Sequence, residues 1–260
     1  MEETVGFREK QIKRWKEIMT LLQQEGFLTV EQLAERLDVS LATIRRDLTA
    51  LDEDKAIIRT RGGAKARIIE TEEPSMKSKA LQNSEQKEIV ARYAASLIKD
   101  GDFVCMDSGS TTYQIIQYIT AQNLTVVTNG VYHVQALIEK GISTFMVGGE
   151  VKEKTCATVG SKTLEQLDNF NFDIAFVGAN GVSLQAGFTT HEVNEAEVKR
   201  KILDRSSQKY ILADSTKLNH QYFISFYPLN GAIMITEKRI EFDYSKCKVL
   251  IVSEAAEAVK

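Results

Sequence analysis

The chain has 260 residues, 43% hydrophobic and 27% charged, with two prolines, the composition of an ordered globular protein long enough for two domains. Its formal net charge of -3 excludes a chain that binds nucleic acid through an overall basic excess. Three cysteines far apart, with no CxxC pair, speak against a disulfide or zinc framework and for reduced thiols. The N-terminus carries no apolar leader, and no run reaches membrane-spanning length, so a cytoplasmic location with no membrane partner is expected.

In chain order, Ile12, Trp15, Ile18, Met19 and Leu22 recur at helical spacing. They predict a first helix within Phe7–Gln24, with Trp15 in its core face and Gly26 closing it. Thr29-Val30-Glu31-Gln32 reads as a capping box that opens a second helix. Its apolar face is Val30, Leu33, Ala34 and Leu37, and it stops near Asp38. Ser40 caps a third helix, on which Leu41, Ile44, Leu48 and Leu51 share one face. Arg46 falls opposite that face, with Ala42 and Thr43 beside it and Arg45 on the flank. Two capped helices across so tight a turn predict a helix-turn-helix. Its second helix is shaped to enter a DNA major groove, where arginine bonds guanine and threonine meets a thymine methyl or a phosphate. A surface helix with solvated arginines is the plain alternative, and the capped helix in front argues against it.

Residues 56–66 alternate β-branched and basic side chains around Gly62-Gly63. That pattern predicts a β-wing laying Arg59, Arg61 and Lys65 along DNA phosphates. Lys55 to Arg67 holds five basic residues and no acidic one, a local stripe on an acidic chain. The run from the first helix through Thr43-Ile44-Arg45-Arg46-Asp47-Leu48 to Arg61-Gly62-Gly63-Ala64 resembles the winged helix-turn-helix of the DeoR family of bacterial transcription regulators. The family usually carries a histidine where Arg61 stands, and arginine keeps a basic contact there. The expected DNA-binding domain is 1–67, with Thr29, Ser40, Ala42, Thr43, Arg45, Arg46, Arg59, Arg61 and Lys65 as its contacts.

Residues 68–83 read as a linker, acidic around Glu70-Thr71-Glu72-Glu73 and broken by Pro74. Ser84 then caps a helix, and short apolar strands alternate with helices to the end of the chain. This pattern predicts an open, mostly parallel sheet covered on both faces, a Rossmann-like α/β domain over 84–260. Ligands of such sheets sit at the carboxyl ends of the strands. Asp107-Ser108-Gly109-Ser110-Thr111-Thr112 lies between a strand and a helix, where hydroxyls and first-turn amides can hold a phosphate dianion. It is not a P-loop, because no Gly-Lys-Ser/Thr follows. Thr128-Asn129-Gly130, Gly148-Gly149-Glu150, Gly178-Ala179-Asn180-Gly181 and Asp214-Ser215-Thr216-Lys217 also follow predicted strands. Asn129 and Asn180 suit sugar hydroxyls, and Lys217 suits a phosphate or sugar oxygen.

These loops resemble the effector domain of the same family, itself similar to ribose-5-phosphate isomerase. The resemblance implies that Ser108, Gly109, Ser110, Thr111 and Thr112 cradle an effector phosphate. It further implies that Asp107, Asn129, Gly149, Asn180 and Lys217 line a sugar site. The stretch Gly187 to Lys199 also looks like the family's, and its Glu195 and Lys199 either pair along a helix or face the site. Within the family the chain looks most like repressors of fructose operons, whose effector is typically fructose 1-phosphate. The expected partners are operator DNA, a phosphorylated sugar and further copies of the chain, as a dimer or tetramer, with no cofactor. The rival reading is a sugar-phosphate isomerase or deaminase carrying a helix-turn-helix, with Asp107, Asp173, Asp214, Glu192 and Lys217 as acid-base candidates. No nucleophile triad or metal-ligand spacing supports it, and His133, His191 and His220 lie in unrelated contexts, so no catalytic or metal residue is assigned. A DNA-binding scaffold without a ligand would leave the polar loops unexplained.

Overall fold

The chain divides into two units, Met1–Ile68 and Ile69–Lys260. The computed structural model describes residues 11, 14–15, 17–22, 25–53, 57–66 and 75–257. Lys55, Arg67 and the acidic run ending at Pro74 lie outside the described residues, as does Ile12.

In the first unit the described residues of 11–25 are helical (α1), with Ile18 and Leu22 fully buried. Gly26, at φ 76°, ends α1 in the left-handed conformation, and its amide donates to the Leu22 carbonyl at 2.9 Å. A short strand absent from the sequence expectation follows, β1 (Phe27–Thr29), and then α2 (Val30–Arg36) and α3 (Leu41–Glu53). The capping box is formed: the Gln32 amide donates to the Thr29 hydroxyl at 3.1 Å, and the Thr29 amide donates to Gln32 Oε1 at 2.9 Å. Ser40 accepts from the Thr43 amide at 3.2 Å and so opens α3.

The buried face of α3 differs from the expected one. Ile44, Leu48 and Leu51 are buried, but Leu41 is 41% exposed and Asp47 is fully buried among them. Leu41 belongs to the first turn, beyond the reach of the core. Asp47 is tolerated because Arg14 donates to it through Nε at 2.5 Å and Nη2 at 3.1 Å, and the Trp15 indole N–H donates at 3.0 Å. Trp15 is thus both a half-buried core residue and an anchor for a carboxylate.

The wing is β2 (Ile57–Thr60) and β3 (Gly63–Ala66), joined through Arg61-Gly62, in a three-stranded antiparallel sheet of order β1-β3-β2. A Cβ on Gly63 would come within 2.2 Å of the Leu28 carbonyl, so glycine there is what lets β1 lie against β3. The Val30 amide donates to the Gly62 carbonyl at 2.9 Å and the Arg59 amide to Asp52 at 3.2 Å, fixing the wing to α2 and α3.

The second unit begins with a correction. Residues 76–81, read from sequence as linker, form α4 (Met76–Leu81), capped by Ser75. Met76 is buried, and its amide donates to the Lys154 carbonyl at 2.8 Å, so the segment packs as part of this unit. Next come α5 (Ser84–Ser96), β4 (Phe103–Met106), α6 (Ser110–Tyr118), β5 (Thr125–Thr128) and α7 (Val131–Glu139). They are followed by β6 (Ser143–Met146), β7 (Glu150–Val151), β8 (Thr158–Val159), α8 (Ser161–Leu167) and β9 (Phe172–Gly178). The remainder is β10 (Gly181–Ser183), β11 (Gly187–Thr190), α9 (Val193–Asp204), β12 (Ser206–Leu212), β13 (Ile224–Tyr227), β14 (Ile233–Thr236), β15 (Lys248–Ile251) and α10 (Val252–Glu257). N-terminal to α5 stands Asn83 in the left-handed region rather than Ser84, which is the first helical residue.

Seven strands form one wholly parallel sheet of order β15-β14-β12-β9-β4-β5-β6. Alternation sends Val104, Met106, Ile174, Phe176 and Leu212 to a core shared with α5 and α6. Cys105, Ala175, Val177, Ile211 and Met234 face the opposite core, with α9. Strand order reverses between β4 and β9, and at such a switch point the outgoing chains part and leave a crevice. The hairpin β7–β8 and the antiparallel sheet β10-β11-β13 are additions that the strand-helix alternation did not predict.

Candidate functional site

On the first unit, Ala42, Arg45 and Arg46 are exposed along α3, with Thr43 half-buried and Ser40 exposed at its start. This face lies away from Ile44, Asp47 and Leu48, so the buried aspartate sets which way the arginines point. Arg59 and Arg61 are exposed on the wing, Lys65 is half-buried, and Thr29 is taken up by its capping box. The Arg59 guanidinium donates to Thr49 Oγ1 at 2.7 Å, which holds its base against α3. Five guanidinium donors leave others for a phosphate.

On the second unit a cleft opens at the switch point between β4 and β9. It encloses about 670 Å3 of non-atom space, counting its open mouth. Ser108, Gly109, Ser110 and Thr111 bring the start of α6, Gly178 and Asn180 the end of β9, and Asp214 and Lys217 the turn after β12. Gly109 supplies no side-chain cap to the first-turn amides of α6. The turn that presents Lys217 is pinned from below, where buried Glu237 accepts from the Ser215 amide at 2.8 Å and from its hydroxyl at 2.5 Å.

Asp107 is 1% exposed and lies beneath this surface, as does Thr112. Its Oδ2 accepts from Lys199 Nζ at 2.5 Å and from the Gly178 amide at 2.9 Å, and its Oδ1 accepts from the Gly109 amide at 2.9 Å. One carboxylate therefore ties the ends of β4 and β9 to the loop that opens α6. Burial pushes its pKa upward, but the Lys199 charge and the hydrogen bonds from Lys199, Gly109 and Gly178 outweigh that and hold it below the usual range. Its role is to build the cleft floor, not to line it.

His133 is fully buried, with Nε2 3.1 Å from the Thr112 hydroxyl. Burial pulls its pKa down from 6.5 to about 4, against the nearby Asp107 charge, so the folded ring stays neutral. The unfolded chain takes up that proton as the pH falls below 6.5, while the fold does so only near 4. Stability of this unit is therefore expected to decline by roughly 3 kcal/mol across that window, at about 1.36 kcal/mol per pKa unit. The depressed Asp107 adds a further loss below the unfolded carboxylate range. Urea melts from pH 7 to 4.5 read the decline, which His133→Gln should flatten, and a level profile in the parent protein would contradict it.

Two residues assigned to the sugar site are not brought to the cleft. Asn129 is buried, and its Nδ2 donates to the Thr158 carbonyl at 3.0 Å. Gly149 faces Thr163, whose hydroxyl a Cβ would meet at 2.1 Å. Both loops follow strands on the far side of the switch point, where Asn129 is buried against β8 and Gly149 is exposed beside Thr163 of α8. Lys199 does reach the cleft, at α9, with Glu195 beside it.

The sequence reading passed over one wall. Met76, Lys79 and Gln82 come from α4, Lys87 from α5 and Thr155 from the segment before β8. For Lys87 a signal existed: it falls on the stripe of Val90, Ala91 and Ala94, where a lysine is out of place unless held. For α4 none did, since its few apolar residues sit beside an acidic, proline-broken run. Among the described residues no cluster of histidine, cysteine, aspartate or glutamate could hold a metal ion, and no helix is long and apolar enough to cross a membrane.

Residues 14–69 match the DeoR-like helix-turn-helix domain, and residues 82–238 match the DeoR C terminal sensor domain. The chain is 36% identical to the Bacillus subtilis (strain 168) protein named uncharacterized HTH-type transcriptional regulator FruR, covering 90% of this chain and 94% of that one. It is 35% identical to the HTH-type transcriptional repressor GlcR of the same strain, covering 85% and 86%. Among solved structures it is similar to ribose 5 phosphate isomerase A from Neisseria gonorrhoeae at 14% identity and a TM-score of 0.39. That match covers 52% of this chain and spans about half of the isomerase, 53% of its length. The relatives that match along most of their length are named regulators and repressors, not enzymes. With both domain models matched in order along one chain, the protein belongs to the DeoR family of helix-turn-helix transcriptional regulators.

Proposed function

We propose that the protein represses a sugar-utilisation operon in the cytoplasm and is released by a phosphorylated sugar. The observation that carries this reading is the cleft at the β4/β9 switch point, where an uncapped helix start, Asn180, Lys199 and Lys217 converge. The first-turn amides of α6 suit a phosphate dianion, Asn180 suits sugar hydroxyls, and Lys217 suits either group. Resemblance to fructose-operon repressors puts fructose 1-phosphate first among the candidates.

In the DNA-binding unit α3 enters the major groove and the wing follows the phosphates. One short helix reads too few bases alone, so two or more copies place readers in successive half-sites. The ligand changes DNA affinity only by its differential affinity for two arrangements of the subunits. Arg46→Ala is expected to lose about 1–3 kcal/mol on the preferred site and little on random DNA. Arg61→Ala should weaken both alike and reduce the slope of log K against log salt by about 1. Fluorescence anisotropy at several salt concentrations reads both, and equal losses on both DNAs for Arg46→Ala would remove it as a reader. A thermal-shift panel of sugar phosphates and matching free sugars tests the sensor. The expected hit needs the phosphate, is not consumed, and is lost in Lys217→Ala; turnover of the hit would favour an enzyme instead.

A further inference from the structure

Lys87 is 3% exposed, yet it lines the cleft. Its Nζ donates to the Gln82 carbonyl at 2.6 Å and to the Lys79 carbonyl. Both acceptors belong to the C-terminal end of α4, where a helix leaves its last carbonyls unpaired. The lysine therefore caps α4 from another helix while its ammonium keeps one N–H for the cleft. Asn83, between the two helices, donates to Thr216 Oγ1 at 3.1 Å, in the turn that carries Lys217. One short segment, 76–83, is thus held by Lys87 and by the Lys217 turn together.

The charges facing Lys87 are Asp214, Lys217 and Lys79. Burial pulls its pKa down from 10.5 to about 8, Asp214 acts against that, and Lys217 and Lys79 add to it. More cation than anion surrounds a buried ammonium, and an anion in the cleft relieves that imbalance. It also favours the fully protonated lysine, the form with donors enough for both carbonyls and a ligand.

We propose that Lys87 contacts the phosphate of the cleft ligand and, through the carbonyls of Lys79 and Gln82, makes α4 the element that tightens when the ligand binds. This rests on the reading of the cleft as a sugar-phosphate site. It deepens that reading by naming a lysine the sequence did not assign and the helix that responds.

Hydrogen exchange on the full chain, with and without fructose 1-phosphate, other sugar phosphates and inorganic phosphate, tests it. Amides of 76–83 are expected to slow by roughly 5- to 100-fold with the phosphorylated ligand that raises the melting temperature, the usual span of coupling between a ligand and an element. Lys87→Met should lose that slowing and weaken binding at least about tenfold, and Lys87→Arg should restore part of each. If Lys87→Met fails to fold, the exchange of the parent protein decides. A ligand that stabilises the protein while 76–83 exchange unchanged, or that binds Lys87→Met as tightly as the parent, overturns the proposal and leaves the sugar-phosphate reading standing. No stabilisation by any phosphorylated sugar overturns both.

Discussion

Lys199→Met is expected to destabilise the second unit by about 3–5 kcal/mol, the cost of leaving a buried charge without its partner. Asp107 is 1% exposed and cannot turn to water, because it also accepts from the Gly109 and Gly178 amides. At about 2–4 °C per kcal/mol for a unit of this size, the melting temperature should fall by roughly 6–20 °C. Removing both charges, with Asp107→Asn added to Lys199→Met, should recover part of the loss, the part due to the unpaired charge, while the asparagine NH2 cannot accept from one of the Gly109 and Gly178 amides. Calorimetry on the three proteins reads this. A Lys199→Met protein within about 1 kcal/mol of the parent would mean that Asp107 is not held as described.

The second large effect concerns Asp47. Asp47→Ala removes the acceptor of two guanidinium bonds and one indole bond at once. Arg14 is 16% exposed and can swing toward water, but the Trp15 N–H loses its partner in place. A loss of about 2–4 kcal/mol follows, from unsatisfied donors at about 1–3 kcal/mol each and from the charge-assisted pair. The first unit is small, and small domains bury little surface, so this is a large share of its stability. DNA binding should then be lost on every sequence, specific and random, although Arg46 is untouched. Unfolding of the isolated loss is seen by circular dichroism of the full chain as a separate low-temperature transition. Unchanged melting together with normal DNA binding would contradict the anchoring role of Asp47.

Much of this protein is legible in its sequence where local chemistry is strong. Thr29 and Gln32 satisfy each other within one turn, so the capping box needs no tertiary knowledge. The parallel strands are short apolar runs between helices, which is enough to predict an open parallel sheet with its ligands at the carboxyl edge. What the sequence hides is long-range. Leu41 leaves its expected place on the buried face, and Asp47 lies buried there because a partner from α1, distant in the chain, reaches it. Asn129 and Gly149 read like Asn180, a polar loop after a strand, and only the strand order puts them across the switch point from the cleft. Lys87 shows as a lysine on an apolar stripe, but α4 joins the cleft through its carbonyls, which carry no side-chain signature.

Release of DNA by a sugar phosphate tests the central claim most directly. Duplexes selected by the protein from a random pool supply the specific site, and anisotropy follows the complex while sugar phosphates and free sugars are added at fixed salt. The account predicts that a phosphorylated sugar, fructose 1-phosphate before others, lowers affinity for the selected duplex while its free sugar does not. It also predicts that Lys217→Ala binds the duplex normally and ignores the ligand. Affinity unchanged by every phosphorylated sugar that stabilises the protein, or release equally strong in Lys217→Ala, would contradict it.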